Sequence, residues 1–511
     1  MDTSTSLGET VAGIEVDTEA IETAETVGDL PPAISEVEEI REIADTPIPE
    51  ALKEPVGEED LVHRDLEDSD FWKKIPAFQH VTREEFLDHR FQNRNSARSV
   101  KDLNDLLRGL APDSFLDDVE AGMHVAPMAM RLSPYILSLI DWENPYEDPL
   151  RRQFIPVAST RLPDHPALTL DSLHEQADSP TPGLVHRYRD KVLFLPLDVC
   201  PVYCRFCTRS YAIGTDTDEV EKVNYKPAVA RWEKAFAYLA SRPEIEDVVV
   251  SGGDTYMLPA ARVRYIGEML LAIPHIRRIR FATKGPAVMP MKVLSDTKWT
   301  DTLVDLSDQG RKLHKEVVIH THFNSANEIT DITRQAMNHL FERGVKVRNQ
   351  SVCIRGVNDD RDDMVTLVRR LSYINVQPYY VYQHDMVLGV EELRTRVADT
   401  LEIERYVRGS TAGFNTPTFV TDAPGGGGKR DVHSFDHYDE VTGISVYRSP
   451  SVDEEKVYLY YDPLDRLPEE GRARWEDPDQ HKTMVYEALE AASLEQKEPA
   501  NSLSKVPQRV L

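Results

Sequence analysis

The sequence predicts an α/β fold in which six β-then-α units build a partial barrel, after a helical N-terminal region and before a small α+β extension. From residue 191 onward, short β-branched apolar runs alternate with longer amphipathic segments. Polar residues cluster directly after these runs. Successive βα units imply parallel strands with right-handed crossovers, in either a barrel or an open doubly wound sheet. Polar residues at the strand ends favour the barrel, because the catalytic residues of such barrels lie at the carboxyl ends of the strands.

The predicted strands are short runs rich in valine, isoleucine and aromatic residues. Six belong to the barrel, at 191–197, 247–251, 277–283, 316–323, 346–354 and 377–383. A further extended run at 416–424 leads into a glycine loop, runs at 443–449 and 456–462 suit a C-terminal unit, and the last forty or so residues are charged and poorly patterned. We therefore expect four parts: an acidic tail (1–60), a helical region (61–180), the barrel (181–424) and a C-terminal extension (425–511).

The net charge of −29 is concentrated at the N-terminus, where residues 1–60 carry 18 acidic and 2 basic side chains. We expect this segment to be mostly disordered, either as a solvated tail or as a docking arm, because it has too little apolar surface to fold. The acidic balance argues against a general affinity for nucleic acid or anionic membranes. No apolar run approaches the roughly 20 residues that cross a bilayer, and no signal peptide is recognisable, so a cytoplasmic location is expected.

Three of the four cysteines, Cys200, Cys204 and Cys207, lie within eight residues directly after the first barrel strand. This count does not suit a disulfide framework and suits a metal site in a reducing compartment. Thiolates at this spacing bind iron–sulfur clusters or zinc. Structural zinc needs a fourth protein ligand, whereas the remaining cysteine, Cys353, lies in an apolar run. Three cysteines would leave one iron of a four-iron cluster open for a substrate or cofactor.

Two glycine motifs follow other strands. Ser251–Asp254 reads SGGD, which by itself also suits a plain turn. Ala423–Lys429 reads APGGGGK, and its four consecutive glycines allow the backbone to approach a ligand closely. The motif differs from a phosphate-binding P-loop, because Arg430 stands where a hydroxyl side chain is required.

The sequence resembles the lysine 2,3-aminomutase family of radical S-adenosylmethionine enzymes. The stretches DVCPVYCRFCTR and DAPGGGGK, and several segments around them, follow the family's order over about residues 70–450. The resemblance implies a radical-SAM barrel with a [4Fe–4S] cluster on the three cysteines. It also implies S-adenosylmethionine at the open iron, as the source of a 5′-deoxyadenosyl radical, and pyridoxal 5′-phosphate attached to Lys429.

The resemblance assigns further side chains by motif position. Those implied to contact a cofactor are Arg187 and Tyr188 for pyridoxal phosphate, and Ser251, Gly252, Gly253, Asp254 and His322 for S-adenosylmethionine. Those implied to bind the substrate are Arg209, for its carboxylate, and Asp385 and Asp422, for its side-chain ammonium. The chemistry agrees, because an arginine fork suits a carboxylate and two acids suit a cation.

These residues imply an isomerase that converts L-lysine to β-lysine by 2,3-amino migration. Glutamate-acting relatives lack the acidic pair, which argues against glutamate. The alternatives are the same chemistry on arginine or another amino acid, or on a protein-attached lysine, and a non-catalytic iron–sulfur protein. Expected partners are a small-molecule amino acid, an electron donor such as flavodoxin or ferredoxin, and a second copy of the chain in a homo-oligomer. Neither nucleic acid nor a membrane is expected as a partner.

Overall fold

A nine-stranded sheet lies at the centre of the computed structural model, which describes residues 61–497 and 499–503. The predicted disorder of residues 1–60 falls outside the described residues. The strands follow one another in chain order across the sheet: β1 (Leu184–Val185), β2 (Lys191–Phe194), β3 (Asp247–Val250), β4 (Arg278–Ala282), β5 (Glu316–Thr321), β6 (Val347–Val352), β7 (Gln377–Tyr382), β8 (Thr418–Ala423) and β9 (Gly428–Asp431).

Strands β2 to β8 are parallel to their neighbours, whereas β1 and β9 pair antiparallel at the two edges. The sheet is a curled, open half-barrel, and this confirms the predicted partial barrel. The six predicted barrel strands are β2 to β7, and the seventh extended run joins the same sheet as β8. In β3, Val248 and Val250 are buried and Val249 between them is only partly buried, because successive side chains of a strand point to opposite faces of the sheet.

Short helices precede the sheet, namely α1 (Arg83–Phe86), α2 (His89–Arg94), α3 (Val100–Leu107), α4 (Asp113–His124), α5 (Pro134–Leu139) and α6 (Pro149–Phe154). Between the strands lie α7 (Val229–Ala240), α8 (Ala260–Ala272), α9 (Gly285–Val288), α10 (Met291–Ser295), α11 (Thr297–Lys312), α12 (Asp331–Glu342), α13 (Arg361–Tyr373) and α14 (Val397–Val407). Within residues 61–497 and 499–503, no helix has both the length and the apolar composition that a membrane crossing requires.

Helix α13 illustrates how the crossover helices form. The Asp360 side chain accepts hydrogen bonds from the backbone amides of Asp362 and Asp363, which caps the N-terminus of the helix. Met364, Leu367 and Leu371 are buried on one face, as their spacing predicts. The buried faces of such helices cover the sheet, so the polar strand ends are left to form a site.

A second, three-stranded sheet contains β10 (His437–Asp439), β11 (Ile444–Ser449) and β12 (Asp453–Tyr461), and two of these strands match the predicted C-terminal runs. The chain then forms α15 (Glu469–Glu476) and α16 (Gln480–Ala491), so the C-terminal extension contains helices as well as strands, as the predicted fold class requires. Few apolar residues anchor these helices, which weakens their pattern. Trp475 is buried and its indole Nε1 donates to the carbonyl of Thr442 at 2.8 Å.

Candidate active site

A cavity of about 500 Å³ lies at the carboxyl ends of the parallel strands. Its wall contains every residue that the sequence predicts for the site. These are Arg187, Tyr188, Cys200, Cys204, Cys207, Arg209, Ser251, Gly252, Gly253, Asp254, His322, Asp385, Asp422 and Lys429. Residues that are up to about 240 positions apart in the chain therefore meet in one cavity, because parallel strands end at the same edge. Their individual roles stay predictions.

The cysteine loop follows β2 and is fixed to the helical N-terminal region. The amide of Tyr203 donates to the carbonyl of Arg131 at 3.0 Å, and the amide of Arg205 donates to the carbonyl of Gln153 at 2.9 Å. Arg205 also forms a buried ion pair with Glu392. The helical N-terminal region thus holds the loop that carries the thiols.

The three thiols fit a cluster better than a single ion. All three line the cavity and are free, and burial raises the pKa of Cys204 to about 12 and that of Cys200 well above its ordinary value. Ligation of the thiolates would therefore release protons. Among the described residues, no three histidine, cysteine, aspartate or glutamate side chains surround a position for one metal ion. In a four-iron cluster each thiolate binds a different iron, so the three thiols can lie farther apart than the ligands of a single metal ion.

The SGGD motif packs directly against the backbone that leads into the cysteine loop. Gly252 has a φ of +91°, and a Cβ there would lie 2.3 Å from the carbonyl oxygen of Leu197. A Cβ on Gly253 would lie 2.5 Å from the backbone of Val199. The glycines are therefore required by the close approach of two strand-end loops, whatever ligand the motif binds.

Asp254 and His322 complete this side of the cavity. Asp254 is buried and its carboxylate accepts from the backbone amides of Tyr256 and Lys284, both at 2.8 Å, so it fixes the loops after β3 and β4. The His322 ring lies 5.6 Å from the ring of Phe206, beside the cysteine loop. Burial lowers the pKa of His322 to about 3, and its Nε2 has no hydrogen-bond partner in the described part of the chain. A neutral ring with an unpaired nitrogen suits contact with a ligand.

Lys429 lies on an edge strand, which the sequence did not predict. The glycines before it form the turn between β8 and β9, with Gly425 at φ +82° and Gly426 at φ +93°. This hairpin places Lys429 directly opposite Asp422 in the register. The Lys429 Nζ donates to Asp422 Oδ2 at 3.0 Å. Burial would lower the pKa of Lys429, but the adjacent Asp422 and tyrosine side chains raise it, so the lysine is held as an ammonium ion.

The surroundings of Lys429 fit pyridoxal phosphate. Its backbone amide donates to the hydroxyl of Tyr188 at 2.7 Å, and its Nζ lies 5.4 Å from the centre of the Tyr382 ring. A primary amine for the cofactor's carbonyl group and aromatic rings for its pyridine are therefore present. Arg187 and Lys191 line the same cavity, where they pair with Asp178 and Asp190, and contact of Arg187 with the cofactor stays a prediction.

The two predicted acids retain unused acceptor capacity. Asp385 is partly buried, and both its Oδ1 and the Oδ1 of Asp422 are buried atoms that lack a hydrogen-bond partner in the described part of the chain. Burial and the neighbouring Asp422 raise the pKa of Asp385 well above its ordinary value. A buried carboxyl group without a partner is costly, so a cation that enters the cavity would relieve that cost.

Arg209 lines the cavity but already has a partner that the sequence did not predict. Its Nε and Nη2 donate to the two carboxylate oxygens of Glu175, at 2.9 and 2.8 Å. Glu175 lies before β1, in a segment with several acidic neighbours. No residue pattern distinguishes it from them, so only the fold reveals the contact.

Comparison with known proteins agrees with this geometry. The family model of the radical SAM superfamily matches residues 194–368. The chain is 39% identical over 361 residues to the L-lysine 2,3-aminomutase of Acetoanaerobium sticklandii, which covers 70% of this chain and 81% of the relative. It is also 39% identical over 360 residues to the L-lysine 2,3-aminomutase of Clostridium subterminale, with the same coverage.

A relative with a different substrate in its name is also similar. The glutamate 2,3-aminomutase of Clostridioides difficile is 32% identical over 358 residues, which is 70% of this chain and 79% of that protein. The chain therefore belongs to the lysine 2,3-aminomutase family of radical S-adenosylmethionine enzymes, and it is an isomerase that uses a [4Fe–4S] cluster, S-adenosylmethionine and pyridoxal 5′-phosphate.

Proposed function

We propose that this aminomutase converts L-lysine to β-lysine by moving the amino group from Cα to Cβ. The observation that carries the proposal is the pair of carboxyl groups, Asp385 and Asp422, that line the same cavity as Lys429 and each have a buried oxygen without a hydrogen-bond partner in the described part of the chain. Asp422 already accepts a hydrogen bond from an ammonium group, that of Lys429. The side-chain carboxylate of glutamate would meet two acids here and be repelled. Two relatives at 39% identity are named for L-lysine, which supports the same substrate.

The side chains of the cavity have distinct tasks in this proposal. When bound, the cluster and S-adenosylmethionine supply a hydrogen-abstracting radical, and pyridoxal phosphate carries the migrating nitrogen. Asp422 Oδ2 accepts the proton that the Lys429 ammonium must lose before its amine can react, and it releases this proton to solvent before the substrate ammonium binds. Asp385 and Asp422 then bind the substrate ammonium, while Arg209 binds the carboxylate. Fixing both ends of the substrate aligns the carbons between which the amino group moves.

We also propose the setting in which the enzyme works. A small one-electron donor, such as flavodoxin or ferredoxin, would reduce the cluster. Four free cysteines suit a reducing compartment, which supports a cytoplasmic location. A homo-oligomer is proposed on the family resemblance.

The test is anaerobic incubation of the reconstituted enzyme with L-lysine, S-adenosylmethionine and dithionite, and analysis of the amino acids by chromatography. β-Lysine is the expected product. The Asp385→Asn variant is expected to lose roughly 10²-fold in kcat/KM for lysine, because a buried charge pair with the substrate is worth about 3 kcal/mol. Asp453, which lies on β12 outside the cavity wall and pairs with Lys456, supplies the matched control, since Asp453→Asn should leave kcat/KM for lysine unchanged.

Parallel incubations with L-arginine and L-glutamate complete the test. Absence of β-lysine from an enzyme that contains iron and pyridoxal phosphate would reject the proposal. Turnover of L-arginine alone would mean that the two acids bind a guanidinium group instead. Turnover of L-glutamate would contradict the role of the acidic pair, because two carboxyl groups in the cavity wall disfavour a third carboxylate beside them.

A pH dependence of lysine binding follows from the raised pKa of Asp385. An ordinary aspartate is ionised at pH values above about 3.9. In the free enzyme the Asp385 carboxyl group stays protonated above that pH, until the pH reaches its raised pKa. Because the ion pair with a substrate ammonium requires the carboxylate, lysine binding releases a proton. The KM for lysine is therefore expected to fall as pH rises through this window, until the substrate's own ammonium deprotonates near 10.4. The Asp385→Asn variant should lose this part of the pH profile, and an unchanged profile would contradict the assignment.

A further inference from the structure

The guanidinium group of Arg209 has two edges that can each bind a carboxylate, and the protein occupies one of them. Nε and Nη2 donate to the two oxygens of Glu175, at 2.9 and 2.8 Å. This bidentate geometry fixes the plane of the guanidinium group. The other edge, formed by Nη1 and the second hydrogen of Nη2, makes no hydrogen bond within the described residues, and Arg209 lines the cavity. A second carboxylate can bind there without displacing Glu175.

Glu175 is itself held firmly. Its side chain is 5% exposed, and its Oε2 accepts a further hydrogen bond from the Tyr211 hydroxyl at 3.0 Å. Its backbone amide donates to Asp171 Oδ1 at 2.9 Å, and its carbonyl accepts from the Ser179 hydroxyl at 2.8 Å. The carboxylate is therefore anchored from both the main chain and the side chain.

The effect of Glu175 on binding of the substrate carboxylate depends on the charges of Glu175 and Arg209. An arginine side chain keeps its positive charge in proteins, and the ion pair with the Glu175 carboxylate favours that charged form in the cavity wall. The Glu175–Arg209 pair is neutral overall, so a substrate carboxylate gains mainly from the fixed hydrogen bonds of the open edge. In a purely electrostatic contact, Glu175 would weaken substrate binding by repulsion.

We propose that Glu175 is a positioning residue that orients Arg209 so that its open edge binds the substrate carboxylate. This rests on the proposed function, in which Arg209 binds that carboxylate. The pair joins the segment before β1 to the cysteine loop after β2, so the substrate contact is coupled to the loop that carries the thiols. The opposing possibility, that Glu175 competes with the substrate for Arg209, predicts the opposite sign in the experiment below.

The experiment measures binding of L-lysine to the pyridoxal phosphate-loaded enzyme by the change in visible absorbance, without S-adenosylmethionine or reductant. Glu175→Ala is expected to weaken binding roughly 10- to 100-fold, because a mobile guanidinium group no longer presents the carboxylate edge. Glu175→Gln keeps one acceptor oxygen and should show a smaller loss. Tyr211→Phe removes only the anchoring hydrogen bond of Glu175 and should show the smallest. Tighter or unchanged binding in Glu175→Ala would overturn the proposal.

A double-variant cycle separates positioning from general destabilisation. Adding Glu175→Ala to an Arg209→Gln enzyme should cause no further loss of binding if Glu175 acts only through Arg209, and additive losses would overturn the proposal. If the alanine variant does not fold, the same cycle is run with Glu175→Gln. Pyridoxal phosphate content and melting temperature verify that each variant is intact.

A second ligand separates this inference from the proposed function. L-Alanine shares the carboxylate with lysine and lacks the side-chain ammonium, so the Glu175 effect should persist with it. A wild-type enzyme that forms no β-lysine but shows the Glu175 effect with L-alanine would reject only the proposed substrate. An enzyme that forms β-lysine and shows no Glu175 effect would reject only the positioning role.

Discussion

The Lys429→Ala variant is expected to lose the visible absorbance of bound pyridoxal phosphate and to lose roughly 10³-fold or more in activity, because its covalent anchor for the cofactor is gone. We expect both losses to come from the missing amine and not from misfolding of the variant. The backbone of residue 429 pairs with Asp422 in the hairpin and donates to the Tyr188 hydroxyl, and both contacts survive truncation of the side chain. Absorbance spectra and β-lysine formation measure the two effects.

A second lysine in the C-terminal part of the chain supplies the control for this variant. Lys456 on β12 has an exposed side chain that pairs with Asp453, so Lys456→Ala should keep the cofactor spectrum and the activity. An Lys429→Ala enzyme with an unchanged visible spectrum would contradict the assignment of Lys429. Loss of Lys429 also leaves Asp422 Oδ2 without its ammonium partner. Adding methylamine to the complete assay supplies an external amine in place of the missing side chain, and partial recovery of β-lysine formation would support the chemical interpretation.

The strands of the barrel could be predicted from the sequence because each is a short apolar run that is bounded by polar residues. The prediction failed to recognise β9, since GKRD has neither the apolar content nor the alternation of a strand. It forms because the glycine turn returns the chain beside β8, where backbone pairing stabilises it. The position of Lys429 opposite Asp422 follows from this register and could not be predicted from spacing alone.

The candidate site was predictable to the extent that its residues stand at strand ends or in recognisable motifs. Cys200, Asp385 and Asp422 all meet this condition. Glu175 does not, because it lies in an irregular segment and acts through a contact with Arg209, 34 residues away in the chain. Partners of site residues depend on tertiary packing, so the sequence pattern that reveals an arginine does not reveal what orients it.

Replacing any one of the three cavity cysteines is expected to remove the iron–sulfur cluster and abolish activity, whereas replacing the fourth cysteine is not. In Cys204→Ala, the remaining two thiolates cannot hold a four-iron cluster that already has one open iron. Iron and sulfide content should fall to background. No cluster reduction should be detectable by electron paramagnetic resonance after dithionite treatment, and β-lysine formation should fall by roughly 10³-fold or more.

Cys353 makes this a controlled comparison within one chain. It lies next to the end of β6, fully buried in the hydrophobic core and away from the cavity wall, and its backbone amide donates to the carbonyl of Tyr382 at 2.8 Å. Cys353→Ala should therefore cost about 1 kcal/mol of unfolding free energy through lost packing and keep the iron, the cofactor spectrum and the activity. Equal iron loss in the Cys353 and Cys204 variants would mean that the iron content depends on the stability of the fold and not on the loss of a cluster ligand. Unequal loss would locate the cluster at the three thiols that follow β2, where an open iron would face the same cavity as Lys429, Asp385 and Asp422.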